Sequence, residues 1–178
     1  MIEKKTTLHT GEFLALVREG HWEYVERVKA TGAAIIVAIT DDAKVLLVEQ
    51  YRIPCHARTI EMPAGLIGDE HGTSDEPDAE AARRELLEET GYEAGHMEFL
   101  TSGPASGGLA GEIVTLFRAT QLRRVGRGGG VGHEDIELHE VPLAEVDPWL
   151  AAKAKAGLLV DPKIYAGLYF VRRDPGAR

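Results

Sequence analysis

Three glutamates, Glu85, Glu88 and Glu89, are spaced so that they would share one face of an α-helix. Residues 77–90 (PDAEAARRELLEET) are strong helix formers, and Gly91 suits a left-handed cap at the C-terminal end. Carboxylates this close repel one another, whereas Mg²⁺ would bind them, because it prefers hard oxygen ligands together with substrate phosphates. The pattern therefore indicates either a Mg²⁺ site for a phosphorylated substrate or a solvated acidic helix face.

The composition is that of one globular domain with an acidic surface. Of the 178 residues, 44% are hydrophobic and 28% are charged, and 29 acidic against 20 basic residues give a net charge of −9. This charge provides no chain-wide attraction for nucleic acid or for an anionic membrane, so neither is expected as a partner. A single cysteine, Cys55, excludes an internal disulfide. Because the chain also shows no signal-like or membrane-spanning apolar run, we expect a cytoplasmic protein.

Apolar runs and turn residues predict the elements that position this helix. Strands are expected at residues 11–18, 22–29, 33–40, 44–51, 56–62, 96–101, 112–120 and 134–141, and further helices at 143–155 and 162–172. The third and fourth strands are expected to form a hairpin around Asp41 and Asp42. Glycine-rich loops are expected at residues 65–74, 102–111 and 121–133. This order of elements predicts a mixed α/β (α+β) layered domain.

The segment from Gly65 to Tyr92 resembles the signature of the Nudix hydrolases, G-x5-E-x7-R-E-U-x-E-E-x-G-U, where U is bulky and aliphatic or aromatic. It reads G-x10-E-x7-R-E-L-L-E-E-T-G-Y, so every position from Glu76 onward fits and the first gap is five residues longer. The resemblance implies an α/β/α sandwich with a mixed central sheet. It also implies that the chain hydrolyses a nucleoside diphosphate linked to another moiety, with Mg²⁺ or Mn²⁺ as the cofactor.

The same resemblance implies the residues of the metal site. The main ligands would be Glu85, Glu89 and the backbone carbonyl of Ala64. Glu88 would be a further ligand or a catalytic carboxylate, and Glu112 would join the cluster. Structural roles within the motif would fall to Gly65, Glu76, Arg84 and Gly91.

Residues 48–67 (VEQYRIPCHARTIEMPAGLI) resemble the ADP-ribose pyrophosphatase and nucleoside-diphosphate-sugar branch of the family. This resemblance implies that Arg52 contacts the diphosphate or the terminal sugar, and that Glu61 helps to bind the substrate. A guanidinium suits this role because it binds phosphate oxygens in a bidentate fork.

The N-terminal segment HWEYVERVK resembles the W-E-x-V-x-R segment of the same branch. There, an N-terminal strand layer is exchanged between two subunits. The resemblance implies a dimer-forming antiparallel layer over residues 1–30 and a Nudix domain over residues 31–178, with a homodimer as the expected assembly. Trp22 would stack on the nucleobase or lie in the dimer core, and Arg27 would contact a phosphate or the ribose.

Residues 128–142 (GGGVGHEDIELHEVP) resemble a segment of the GDP-mannose hydrolase relatives. In the wider branch, a glutamate on this loop acts as the general base or orients the attacking water. Glu134 matches it best, and Asp135 and Glu137 are the alternatives. The neighbouring glycines would allow the loop to close over the substrate, or would simply make it flexible.

The sequence therefore predicts a Mg²⁺-dependent pyrophosphatase that hydrolyses ADP-ribose or a related nucleoside diphosphate sugar. The products would be a nucleoside monophosphate and a sugar phosphate. Gly107 stands where ADP-ribose enzymes usually have a proline, so a preference for GDP-mannose is an alternative. A second alternative is a non-catalytic Nudix module that binds a nucleotide metabolite.

Overall fold

The computed structural model describes residues 4–68, 77–132 and 135–173, and they form eleven strands and three α-helices. The strands are β1 (Thr6–Thr10), β2 (Leu14–Glu19), β3 (Trp22–Arg27), β4 (Gly32–Ala38), β5 (Lys44–Arg52), β6 (Ala57–Glu61), β7 (Ala64–Ile67), β8 (Tyr92–Pro104), β9 (Ile113–Arg124), β10 (Glu137–Pro142) and β11 (Leu159–Val160). The helices are α1 (Asp78–Thr90), α2 (Val146–Lys155) and α3 (Lys163–Arg173). None of the helices in these ranges is long and apolar enough to cross a membrane.

The strands form one small antiparallel sheet and two mixed sheets. The small sheet has the order β1-β2-β3, and the four-stranded sheets have the orders β7-β4-β9-β8 and β10-β5-β6-β11. Strands β4 and β9 pair in parallel, as do β6 and β11, and the remaining pairs are antiparallel. Two sheets thus take the place of the single central sheet that the sequence predicts.

Strand β4 is buried on both faces, which creates the layers of the fold. Its residues Ile35 and Val37 belong to a core that also contains residues of α2 and α3. The alternating residues Ala34 and Ile36 belong to a second core, which contains residues of α1. Because successive side chains of a strand point to opposite faces, α1 lies on one side of the strands and α2 and α3 on the other. The predicted α/β/α layering and mixed α/β class are confirmed.

The predicted hairpin between the third and fourth strands is wrong. Strand β4 pairs with β7 and β9, whereas β5 pairs with β6 and β10. Between β4 and β5, only an isolated bridge from Ile39 to Val45 is formed. Strand β4 is apolar throughout and β5 contains the buried apolar run from Val45 to Val48, so the sequence pattern identifies each strand without indicating its partner.

All three of the predicted glycine-rich loops are partly strand. Strand β7 occupies the first part of the segment expected to be a glycine-rich loop, and pairs with β4 at the sheet edge. Strands β8 and β9 form a long antiparallel pair from Tyr92–Arg124 to Pro104–Ile113, well beyond their predicted limits. Ladder hydrogen bonds to a neighbour extend strands into sequence whose own strand propensity is weak. The short strands β1 and β11 were not predicted either.

Candidate active site

Helix α1 carries the three glutamates around a central arginine. The Nη1 of Arg84 lies 2.8 Å from Oε1 of Glu85 and 3.5 Å from Oε2 of Glu88. Its Nη2 donates a hydrogen bond of 3.4 Å to the carbonyl of Leu66 in β7. The guanidinium therefore offsets repulsion between the carboxylates and connects α1 to β7. The structural role that the sequence implies for Arg84 stays a prediction.

Strand β7 approaches α1 so closely that a Cβ at its second position would overlap the side chain of Glu85. A Cβ at Gly65 would lie within 3.0 Å of the Cγ, Cδ and Oε1 of Glu85. The backbone N–H of Ala64 donates a hydrogen bond of 3.0 Å to Oε2 of Glu89, whose side chain is buried. The structure thus brings Ala64 and Gly65 together with Glu85 and Glu89. Carboxylates held beside a backbone segment form a hard-oxygen donor set that fits Mg²⁺ or Mn²⁺.

An open cleft of about 770 Å³ contains three further candidates, Arg52, Glu61 and Glu112. Arg52 and Glu61 form a bidentate pair. The Nε and Nη2 of Arg52 lie 2.8 and 2.7 Å from the two carboxylate oxygens of Glu61. The hydroxyl of Thr59 donates a further hydrogen bond of 2.5 Å to Glu61. Burial opposes ionisation of Glu61, but these hydrogen bonds outweigh it and lower its pKa. Glu61 is therefore an anion that holds Arg52 at the cleft wall.

Arg27 and Glu112 form an ion pair that joins β3 to the start of β9. Both line a second, smaller cleft of about 210 Å³, so Glu112 is shared between the two clefts. Trp22 lies outside both linings, and about half of its surface is exposed on the N-terminal sheet. Within one chain, the structure therefore brings Arg27 to Glu112 but leaves Trp22 apart from the other candidates.

A family model described as NUDIX domain matches residues 29–161. The chain belongs to the Nudix family. The predicted family is confirmed, and so is the predicted enzyme class, a hydrolase that acts on phosphorus-containing anhydrides. Nudix enzymes generally use divalent metals, which agrees with the oxygen donors on α1.

Several curated Nudix relatives are similar to this chain over most of its length. The "Methanol dehydrogenase activator" of Bacillus methanolicus is 38% identical over 129 residues, which are 72% of this chain and 67% of the relative. The "ADP-ribose pyrophosphatase" of Mycobacterium tuberculosis is 34% identical over 172 residues, or 93% of this chain and 79% of the relative. The "GDP-mannose pyrophosphatase" of Citrobacter koseri is 34% identical over 143 residues, which are 76% of this chain and 70% of the relative.

A solved structure titled "Crystal structure of ADP compounds hydrolase" shares the fold. Its TM-score is 0.73, at 22% sequence identity, over 97% of this chain and 92% of that one. The match includes nearly all of the chain and supports the Nudix layering described above.

Two Nudix candidates, Glu76 and Glu134, lie outside the described residues. Of the alternatives to Glu134, Asp135 is almost fully exposed and lies 3.5 Å from Nη1 of Arg58. Glu137 is exposed on β10, with its carboxylate 3.9 Å from Nε2 of His139. The choice among the three loop carboxylates stays a prediction.

A second group of possible metal ligands lies outside the Nudix motif. Glu49, Glu137 and His139 offer ligand atoms within 4.8 Å of one another. However, Glu49 already accepts hydrogen bonds from Lys153 at 2.8 Å and from Arg58 at 2.7 Å. Burial opposes its ionisation, yet these cations and His139 lower its pKa to about 2. We interpret this group as an ion-pair network that attaches α2 to the sheet, because a metal ion there would face two cations.

The cleft also contains residues that the sequence pattern did not single out. Lys163 and Asp161 line it at the start of α3, and their side chains form an ion pair of 2.5 Å. Asp161 also accepts a hydrogen bond of 2.8 Å from the backbone N–H of Lys163, as a helix cap does. In the sequence, these residues could be recognised only by this capping pattern, which follows an apolar run. It predicts a helix start, but not that the helix start faces a cleft.

Proposed function

We propose that this protein is a Mg²⁺-dependent pyrophosphatase that hydrolyses ADP-ribose or a related nucleoside diphosphate sugar. The products are a nucleoside monophosphate and a sugar phosphate. The close approach of Glu85 and Glu89 to Ala64 and Gly65 is the observation that carries this proposal. A relative named "ADP-ribose pyrophosphatase" aligns with 93% of this chain, which supports the choice of substrate class.

The proposed metal ligands are Glu85, Glu89, the carbonyl of Ala64, Glu88 and Glu112. A bound Mg²⁺ or Mn²⁺ would neutralise the diphosphate charge and lower the pKa of the attacking water. Arg84 would keep the carboxylates in position, since its guanidinium already lies between Glu85 and Glu88.

Arg52 is the proposed contact to the diphosphate or the terminal sugar, and Glu61 orients it. The bidentate pair fixes the guanidinium plane at the cleft wall, so a substrate phosphate would meet a preorganised donor. Arg27 is proposed to contact a phosphate or the ribose. Glu134 is proposed as the general base or as the residue that orients water, with Asp135 and Glu137 as the alternatives.

We further propose that residues 1–30 form a layer that pairs with a second copy of the chain. The small sheet and the loop before β2 expose several large apolar residues, which an isolated chain would leave in water: Leu8, Phe13, Leu14, Leu16 and Trp22. In a dimer, Trp22 would either stack on the nucleobase or pack in the interface. A cytoplasmic location also stays a prediction from the sequence.

Hydrolysis of GDP-mannose is the second candidate function. Gly107 stands where ADP-ribose enzymes usually have a proline, and a relative named "GDP-mannose pyrophosphatase" aligns with 76% of this chain. Both substrates share the diphosphate that the metal site and Arg52 would bind, so the two candidates differ in the base, in the sugar and in the sugar carbon that carries the diphosphate.

Product analysis tests the proposal. Purified protein is incubated with Mg²⁺ and either ADP-ribose or GDP-mannose, with EDTA and Glu85→Gln as controls. AMP and ribose 5-phosphate, formed only with metal and only by the wild type, are the expected products. Dominant formation of GMP and mannose 1-phosphate would transfer the assignment to the second candidate. Binding of both substrates without turnover would refute both substrate assignments and favour a different substrate or the binding module.

A further inference from the structure

The glycine-rich segment after β9 is attached to the end of helix α1. The N–H of Gly129 donates a hydrogen bond of 2.9 Å to the carbonyl of Glu89, and the N–H of Gly130 donates one of 3.0 Å to the carbonyl of Glu88. Carbonyls in the last turn of a helix have no partner within the helix. Here the partners are backbone amides about forty residues further along the chain, so the segment completes the C-terminal end of α1.

The contact is close enough to require glycine at two positions. Gly128 has a φ of +69°, and a Cβ there would lie 2.6 Å from the carbonyl oxygen of Glu89 and 2.7 Å from the Cα of Thr90. These are backbone atoms of α1, which cannot rotate away as a side chain can. On the helix side, Gly91 has a φ of +75° and accepts hydrogen bonds of 2.9 and 3.0 Å from the N–H groups of Val125 and Gly126. We call residues 125–130 the glycine clamp.

We propose that the glycine clamp positions the metal-binding end of α1, and that Gly128 is a positioning residue of the site. This inference depends on the proposed role of Glu88 and Glu89 in binding the metal. The two carbonyls that the clamp holds belong to these same residues, so the clamp fixes the backbone from which their carboxylates extend. A Cβ at Gly128 would displace this backbone by about 1 Å, whereas binding constellations tolerate about 0.5 Å.

The chain itself offers controls that separate this role from ordinary backbone strain. Gly157 also has a positive φ, +95°, but a Cβ there meets no atom within 4 Å. Gly126 belongs to the clamp, yet its φ is not positive, and a Cβ there would lie at an ordinary distance of 3.7 Å from the Cα of Gly91. Gly157→Ala therefore shows the effect of backbone strain at a positive φ without a steric overlap. Gly126→Ala shows the effect of an added methyl group in the clamp without strain or overlap.

The experiment measures Mn²⁺ binding to the folded proteins without substrate, by electron paramagnetic resonance. We expect Gly128→Ala to bind Mn²⁺ roughly 10–100-fold more weakly than the wild type, as when a supporting partner of a metal ligand is lost. Gly126→Ala and Gly157→Ala should bind Mn²⁺ as the wild type does. Equal affinities for Gly128→Ala and Gly157→Ala would overturn the positioning role. A wild type that binds Mn²⁺ but hydrolyses no nucleotide sugar would refute the proposed function and leave this inference intact.

A second measurement needs no variant, in case Gly128→Ala does not fold. The wild-type protein is titrated with Mg²⁺ and followed by amide nuclear magnetic resonance. The signals of Gly129 and Gly130 should shift with the same dissociation constant as those of Glu88 and Glu89, while the signal of Gly157 stays unchanged. Unchanged signals of Gly129 and Gly130 at saturating Mg²⁺ would overturn the inference.

Discussion

Replacing Gly65 by alanine should damage the metal site while leaving the fold nearly intact. The alanine Cβ would fall within 3.0 Å of three atoms of the Glu85 side chain, where ordinary contacts begin at 3.4 Å. The carboxylate would have to move by about 1.5 Å, whereas a metal or substrate constellation tolerates displacements of about 0.5 Å. We therefore expect Mg²⁺ affinity to fall roughly 10–100-fold.

The cost to stability should be small for two reasons. The overlapping atoms belong to the outer part of a flexible side chain, so overpacking should stay near the low end of about 1–3 kcal/mol. Gly65 has no positive φ, and alanine is favoured over glycine within a strand by about 0.5–1 kcal/mol, which offsets part of this. The free energy of unfolding should therefore change by less than about 2 kcal/mol.

The assay follows initial rates of ADP-ribose hydrolysis against Mg²⁺ concentration, with thermal unfolding measured in parallel. Gly103→Ala is the matched control, because Gly103 also lies in a strand and a Cβ there meets no atom within 4 Å. In a Glu85→Ala background, adding Gly65→Ala should change little, since both substitutions act on one carboxylate. The same Mg²⁺ midpoint for Gly65→Ala and the wild type would refute the reasoning, and so would additive losses in the double variant.

Three further predictions concern the cleft and the ion-pair network. Arg52→Lys should raise KM for ADP-ribose nearly as much as Arg52→Ala, because an ammonium cannot form the bidentate pair with Glu61; full activity of the lysine variant would contradict this. Lys163 lines the same cleft as Arg52, so we expect its ammonium group to contact the substrate and Lys163→Ala to raise KM. Thermal stability should change little, because Asp161 still caps α3 through the backbone N–H of residue 163; an unchanged KM would exclude the substrate contact. The pKa of Glu49 is about 2, below its usual 4.5, so ionised Glu49 stabilises the fold above pH 4.5, and this contribution is lost as pH falls toward 2. It amounts to about 3 kcal/mol at most, so parallel pH profiles of unfolding for the wild type and Glu49→Gln would contradict the prediction.

Helix α1 shows how much of the site could be predicted from local sequence. Its limits, its left-handed cap at Gly91 and the shared face of Glu85, Glu88 and Glu89 follow from helix propensity and from a period of 3.6 residues. The same local rules located most strands, but placed β4 and β5 in one hairpin. Pairing depends on which edges meet in three dimensions, and two strands buried on both faces leave no alternating pattern to indicate it.

The Nudix signature, the mixed α/β class and the acidic face of one helix could be predicted from the sequence, because each depends on residues close together in the chain. The contacts between residues distant in the chain depend on the tertiary structure. Gly65 meets Glu85 across twenty residues, Arg27 meets Glu112 across 85, and the clamp meets the end of α1 from beyond β9. Such contacts depend on how whole helices and strands pack. The spacing of residue types along the chain does not indicate which of these elements pack against each other.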